Sequence, residues 1–282
     1  MIDIRKKIGI IGYGTMGSAI AQKLASLENE FIVCAFDKEK GKLANHPGIN
    51  IAKDIKDLTG KSDTLILAVK PQDFDRLLKE IKNFVQNKLV ISIAAGISTK
   101  HMEKVAGGIR VIRAMPSLGV KIGESVTSLS KGALATDEDL ELALELFYSL
   151  GAARSIAEGM MNAATAISGS GPAYIFYFLE NNALDPQNIP EHTRHAMMKR
   201  LEKAAEELGF STEDAAYLAA NTINSSISLL HQTKLTAGEL RKQVTSKGGT
   251  TEAALAVLAK GGSWVEAARA AEKRASELAV RS

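Results

Sequence analysis

The sequence predicts a doubly wound α/β parallel sheet followed by an all-helical domain, and three observations carry that prediction. Short β-branched runs alternate with helical segments through residues 8–156. A Gly-x-Gly-x-x-Gly pattern occupies the first strand-to-helix turn. Beyond Gly159 no further strand candidate occurs, while Ala, Leu and Met recur at helical spacing. The chain therefore divides into a nucleotide-binding domain over 1–158 and a helical domain over 159–282.

In the first domain, Ile8–Ile11, Phe31–Phe36, Thr64–Val69, Leu89–Ile93 and Arg110–Ile112 read as strands. Helices near 15–27, 53–58, 73–84 and 99–106 lie between them, and this spacing implies right-handed crossovers. Val126–Ser130 and Ala152–Ile156 read as later edge strands on either side of a helix over Glu138–Leu150. The second domain shows helical periodicity through 173–183, 196–208, 212–231 and 251–279. Leu184–Thr193 interrupts it, because Pro186 and Pro190 each lack a donor and restrict the residue before them.

Composition narrows the function classes. Of 282 residues 45% are hydrophobic and 24% charged, the balance of a folded protein. Lys and Arg number 35 against 32 Asp and Glu, interspersed, so neither a nucleic-acid surface nor a membrane patch is expected. Apolar runs such as Leu65–Val69 are too short to span a bilayer, and Met1–Lys7 lacks the apolar core of a signal peptide. Cys34 is the only cysteine, which excludes an internal disulfide. His46, His101, His192, His195 and His231 show no metal-ligand spacing, so no metal is expected. The expectation is a cytoplasmic protein.

Gly12-Tyr13-Gly14-Thr15-Met16-Gly17 follows an apolar strand and opens a helix. In the dinucleotide-binding Rossmann pattern the first glycine permits the turn and the second admits the pyrophosphate to the backbone. The third allows close helix packing, and the free amides bind the anion. Asp37, twenty residues past Gly17, falls where such sheets place the carboxylate for the adenosine ribose. That carboxylate favours NADH over NADPH, while Lys38 and Lys40 pull the other way. Ala68-Val69-Lys70-Pro71 and Ala94-Ala95-Gly96 also close strands at the crevice, with small residues that let a dinucleotide approach. Lys70 reads equally well as a solvated lysine.

In the second domain, Ser168-Gly169-Ser170-Gly171-Pro172 and Ser246-Lys247-Gly248-Gly249-Thr250-Thr251 each precede a helix. A glycine-rich turn there presents unpaired amides and the positive end of the helix dipole, which suits a carboxylate. The ordinary alternative for Thr250 or Thr251 is a helix N-cap.

Taken together, Ala68–Pro71, Ala94–Gly96, Arg113-Ala114-Met115-Pro116, Ser168–Tyr174 and Thr245–Thr251 resemble pyrroline-5-carboxylate reductases, in order and over nearly the whole chain. The resemblance implies the last step of proline synthesis, reduction of 1-pyrroline-5-carboxylate to L-proline with NAD(P)H. It assigns the substrate carboxylate to Ser246 and the backbone of Gly248, Gly249 and Thr250, adds Ser170 and Met115 to the substrate contacts, and makes Thr251 the residue that hydrogen-bonds the imine nitrogen. Lys38 and Asn50 join the cofactor contacts. The resemblance also implies a homodimer or larger homo-oligomer through the helical domain.

Four departures from the family pattern stand out. MPNTP reads Met115-Pro116-Ser117-Leu118-Gly119, and HPGxLxDxV reads Thr236–Val244. Lys247 replaces a proline, and roughly twenty residues around Asn181–Arg200 look inserted. They leave room for a different cyclic imino acid as substrate. A 3-hydroxyacid dehydrogenase of the same build needs a lysine early in the second domain, and none lies between Lys131 and Lys199. A nucleotide-binding sensor without turnover is the alternative from another class.

Overall fold

A computed structural model describes residues 5–43 and 46–279, so the expectation about a leader at Met1–Lys7 falls mostly outside the described residues. The chain divides into two compact units. One holds the residues up to Ala114 with Leu129–Glu158; the other holds Met115–Ser128 with the chain from Gly159 onward.

A sheet of eight strands, most of whose residues lie in the first unit, comprises β1 (Lys6–Ile11), β2 (Phe31–Phe36), β3 (Ile49–Ile51), β4 (Thr64–Leu67), β5 (Leu89–Ser92), β6 (Arg110–Met115), β7 (Ser125–Lys131) and β8 (Gly151–Ser155). Their order across the sheet is β3-β2-β1-β4-β5-β6-β7-β8. The pairs from β3 through β6 are parallel. Residues of β4 and β5 are buried throughout, as strands covered on both faces must be. Helices α1 (Thr15–Ala25), α2 (Ile55–Gly60), α3 (Pro71–Ile81), α4 (Thr99–Ala106) and α5 (Asp137–Tyr148) alternate with the strands.

Several elements differ from the sequence reading. β3 has only Ile49–Ile51, too short to show an alternating pattern. β4 stops at Leu67, because the chain turns to place Lys70 as N-cap and Pro71 as first residue of α3. β7 is an inner strand and not an edge; the edges are β3 and β8.

The second unit is helical: α6 (Met161–Ala164), α7 (Gly171–Asn181), α8 (Glu191–Glu207), α9 (Thr212–Thr233), α10 (Ala237–Val244), α11 (Thr250–Leu258) and α12 (Trp264–Ala279). The periodic stretch 251–279 is therefore two helices, with Gly261 at φ +82° in the connection. α10 carries a capping box between Thr236 and Glu239, a signal present in the sequence as Thr-x-x-Glu. Met115–Ser128 belongs to this unit instead of the first, where the sequence division put it. Gly119 explains why: a Cβ there would lie 2.1 Å from Ser225 Oγ on α9, so the segment packs backbone-close on that helix. Among the described residues no helix is long and apolar enough to cross a membrane.

Candidate active site

The residues singled out in the sequence fall into two constellations, one in each unit. In the first unit β1, β2 and β4 end level, since Ile11 pairs with both Phe36 and Leu67. Gly12, Asp37 and Ala68 therefore leave the sheet side by side, where the strand order reverses and open α/β sheets bind ligands. Gly12 N–H donates to Phe36 O at 2.8 Å, and Ala68 N–H to Ile11 O at 2.8 Å.

The three glycines of the turn stand in different surroundings. Gly12 has φ +100°, and a Cβ would come within 2.6 Å of Ala68 O. At Gly17 a Cβ would meet Gly12 O at 2.0 Å. Gly14 has an ordinary φ of −79° and nothing within 4 Å of where its Cβ would be. The protein itself therefore makes no demand for glycine at 14. The open space beside it, at the N-terminus of a helix with no side-chain cap, fits a pyrophosphate.

Asp37 is 8% exposed, and its carboxylate accepts from Tyr13 N–H at 2.7 Å and Glu39 N–H at 2.8 Å. It is fixed against the glycine turn and does not swing aside. Lys38 is held by Asp73 of α3 at 3.2 Å. A cavity of about 380 Å³ is lined by Gly12, Gly14, Asp37, Lys38 and Ala68–Lys70, together with Arg76 and Leu77 of α3, which the sequence reading missed. Thr15, Met16 and Gly17 open α1, and Pro71 opens α3. Asn50 lies on the edge strand β3, and its side chain donates to Val33 O at 3.3 Å. Ala94-Ala95-Gly96 follow β5, whose Ser92 is level with Leu67, and Gly96 has φ +79°.

In the second unit the Ser168–Tyr174 segment contains a π turn over Thr165–Gly169, closed by Ser170 N–H donating to Thr165 O at 2.8 Å. Such a turn inserts one residue into a helix and re-aims the residues beyond it. Ser170, fully buried, thereby meets the start of α11. Thr251 Oγ1 donates to Ser170 Oγ at 3.1 Å, and Ser170 Oγ lies 3.0 Å from Thr250 Oγ1. The Tyr174 hydroxyl donates to Ala166 O at 2.9 Å, and burial pushes its pKa up.

Neither threonine caps α11; its N-cap is Gly249, with no side-chain hydrogen bond. The capping alternative for Thr250 and Thr251 is thereby removed. Gly248 has φ +71°, and its N–H is already bound by a carboxylate, Glu252 Oε2 at 2.7 Å. Gly249 N–H donates to Ser246 O at 3.0 Å, and Arg274 Nε donates to Gly248 O at 2.8 Å. Glu252 and Arg274 escaped the sequence reading. The signal for Glu252 was its place three residues past Gly249, where a glutamate reaches back to free amides. Met115, buried, ends β6. A larger cleft of about 660 Å³ in this unit, beside Trp264 and Phe178, includes none of Ser170, Thr250 and Thr251.

Residues 158–184 and 195–278 match the family model described as pyrroline-5-carboxylate reductase dimerisation. Residues 7–96 match one described as NADP oxidoreductase, coenzyme F420-dependent. A pyrroline-5-carboxylate reductase of Methanosarcina acetivorans is 34% identical over 97% of this chain and 98% of its own length. The chain belongs to the pyrroline-5-carboxylate reductase family. Another member, from Aquifex aeolicus, is 34% identical over 89% of this chain and 88% of its own. The solved structure of the Coxiella burnetii member is 30% identical with a TM-score of 0.62, covering 96% of this chain and 97% of that one.

Family membership sharpens the departures. The family model passes over only 185–194, so the extra length is shorter than the twenty residues suggested by the sequence. Ser117, in place of the family's asparagine, accepts from Val126 N–H at 2.8 Å. Gly119, in place of a proline, is the close contact with α9 described above. Both changes thus have roles inside the helical unit.

Proposed function

We infer that this chain reduces 1-pyrroline-5-carboxylate to L-proline with NAD(P)H, as an oxidoreductase acting on a C=N bond in proline synthesis and as a homo-oligomer assembled through its helical unit. Bound NAD(P)H supplies a hydride. The protein has to hold the carboxylate, keep the reacting carbon at near-contact distance from the donor, and meet the nitrogen with a hydrogen-bonding group.

We assign the carboxylate to the Gly248–Thr250 backbone and the Ser246 hydroxyl, and the nitrogen to Thr251. The observation that carries this assignment is the carboxylate of Glu252 on Gly248 N–H, beside an uncapped helix start and the hydroxyls of Ser170, Thr250 and Thr251. The turn already binds the chemical group in question, so substrate binding exchanges one carboxylate for another. Ser170 acts on the substrate through Thr251, and Met115 supplies an apolar wall.

For the cofactor we assign the pyrophosphate to the amides beside Gly14 and the adenosine ribose to Asp37. A buried, amide-held carboxylate accepts from ribose hydroxyls and repels a 2′-phosphate, which favours NADH. We also place the enzyme in the cytoplasm, where a lone thiol such as buried Cys34 stays reduced.

Thr251→Val tests the assignment. It should lower kcat about ten- to a thousand-fold, the scale of one positioned hydrogen-bonding or proton-transfer group, and leave NAD(P)H affinity unchanged. Wild-type turnover in the folded variant would reduce Thr251 to a packing residue.

A further inference from the structure

Thr251 is not an isolated hydroxyl. A serine or threonine alone is a poor acid, because its alkoxide is a strong base that nothing stabilises. Here Thr251, 5% exposed, donates to fully buried Ser170, and Ser170 lies 3.0 Å from Thr250, which is half-buried and meets solvent. Each hydroxyl carries one hydrogen. With Thr251 donating to Ser170, the Ser170 hydrogen is shared between Thr250 and the neighbouring Tyr174 phenol oxygen, and the three hydroxyls run from the buried end to the wet end.

From this geometry we propose that Ser170 and Thr250 form, with Thr251, a reversible proton relay that lets the enzyme reduce the imine whether or not it arrives protonated. The proposal rests on Thr251 meeting the imine nitrogen. With Thr251 donating to Ser170, Thr251 turns its lone pairs outward and accepts from a protonated imine. In the reverse orientation, Thr250 donates to Ser170, Ser170 to Thr251, and Thr251 to a neutral imine.

Atoms and electrons balance for the neutral imine. The imine carbon accepts the hydride as the nicotinamide is oxidised, and the C=N π pair moves to nitrogen. Nitrogen takes the Thr251 hydrogen, Thr251 takes that of Ser170, and Ser170 takes that of Thr250. Water at Thr250 replaces the last proton and leaves hydroxide to the solvent. The chain then stands in the first orientation, with Thr251 donating to Ser170.

Other ionisable groups nearby are committed elsewhere. Arg274 is tied to Gly248 O and pairs with Glu277 at 2.9 Å, while Glu252 holds Gly248 N–H until the substrate carboxylate replaces it. Tyr174 lies beside Ser170, but its hydrogen is given to Ala166 O, and burial keeps the phenol neutral.

The test is the pH profile of kcat for wild type, Ser170→Ala, Thr250→Val and Thr250→Ser, with thermal unfolding and L-proline binding measured on each. Both relay-breaking variants should lose about ten- to a hundred-fold in kcat at alkaline pH, where the imine is neutral. At acid pH, where it arrives protonated, the loss should be smaller, so that the ratio of variant to wild-type kcat falls as the pH rises. Thr250→Ser keeps the hydroxyl and should restore the alkaline limb. A loss equal at every pH, or no loss in folded variants, would overturn the relay. Thr251→Val separates this from the underlying assignment: if it retains wild-type turnover, Thr251 does not meet the nitrogen at all. If Thr251→Val is impaired while the Ser170 and Thr250 profiles keep the wild-type shape, only the relay fails. Should Ser170→Ala not fold, the Thr250 pair decides alone, because that position is half exposed and Thr→Val preserves its volume.

Discussion

The nucleotide cradle of the first unit and the hydroxyl cluster of the second are built by opposite means. The cradle is backbone: three glycines within six residues, a carboxylate one strand away, and amides at a helix start. Its geometry comes from one turn and the parallel register of its neighbours. The cluster is made of side chains, and Ser170 and Thr251 lie 81 positions apart in the chain. Nothing local brings them together; a π turn and the packing of α7 on α11 do. One site is written in a motif, and the other is written in the tertiary fold.

The sharpest way to break that contrast is within the glycine turn. Gly17→Ala forces a Cβ to 2.0 Å from Gly12 O, and Gly12→Ala adds a left-handed φ to a 2.6 Å clash with Ala68 O. Either should destabilise the first unit by about 3 kcal/mol or more, read as a fall in its unfolding midpoint. Gly14→Ala should differ in kind, since its Cβ meets nothing in the protein. Its unfolding midpoint should stay at the wild-type value while NAD(P)H affinity drops by about ten-fold or more. Equal destabilisation by the changes at 14 and 17 would show that Gly14 serves the fold and not a ligand.

The helical unit offers a parallel case without a motif. Gly119→Ala places a Cβ 2.1 Å from Ser225 Oγ and 2.2 Å from Glu124 O. It should cost about 1–3 kcal/mol of stability in that unit and leave nucleotide binding to the first unit untouched. Ser225→Ala removes the closer clash and should recover part of the loss in a double variant.

How much of the molecule could be read in advance obeys the same division. β2 and α4 fall on their expected residues, and Gly12–Gly17 and Asp37 lie where the spacing put them, because period and turn chemistry are local. β3 was invisible at three residues, and Gly119 could be seen only as a lost proline, since its reason is a hydroxyl on α9. Thr251 was visible only through the family motif, and by local rules looked like a cap. The fold removes that reading by making Gly249 the cap. Arg76 and Leu77 face the nucleotide cavity from α3, two turns past the motif, where nothing in the sequence marks them.

Cofactor choice refines the cradle. Asp37 is pinned by two amides, and Lys38 is engaged with Asp73, so the carboxylate outweighs the lysine at this position. On the proposed ribose assignment NADH should be preferred, and Asp37→Ser should shift the ratio of kcat/KM towards NADPH by about ten-fold, the effect of removing one like charge near a phosphate. A wild-type preference for NADPH, or a ratio insensitive to the substitution, would refute the reading. Arg76 and Lys42 also border the cavity, and they are the first places to look if it does.

The smallest effect belongs to the segment that the family model passes over. Residues 185–190 form a mostly exposed connection before α8 begins at Glu191. Two hydrogen bonds pin this region to α9: the His231 ring to Pro186 O at 2.8 Å, and Arg194 Nη2 donating to Asn224 Oδ1 at 2.6 Å. Exposed contacts of this kind are worth on the order of 1 kcal/mol or less each, because water competes for both partners. Replacing Asp185–Pro190 with a glycine-serine linker keeps a backbone carbonyl at 186 but frees it from the fixed position the first bond needs, keeps Arg194, and loosens a connection between two helices that are held by their own packing. The expected cost is therefore about 1 kcal/mol in the helical unit, with NAD(P)H affinity in the first unit unchanged. A loss above about 3 kcal/mol would mean that the segment is part of the core of the unit and not an excursion from it. A change in oligomer size at constant stability would point to contacts made by the same six residues with a neighbouring subunit.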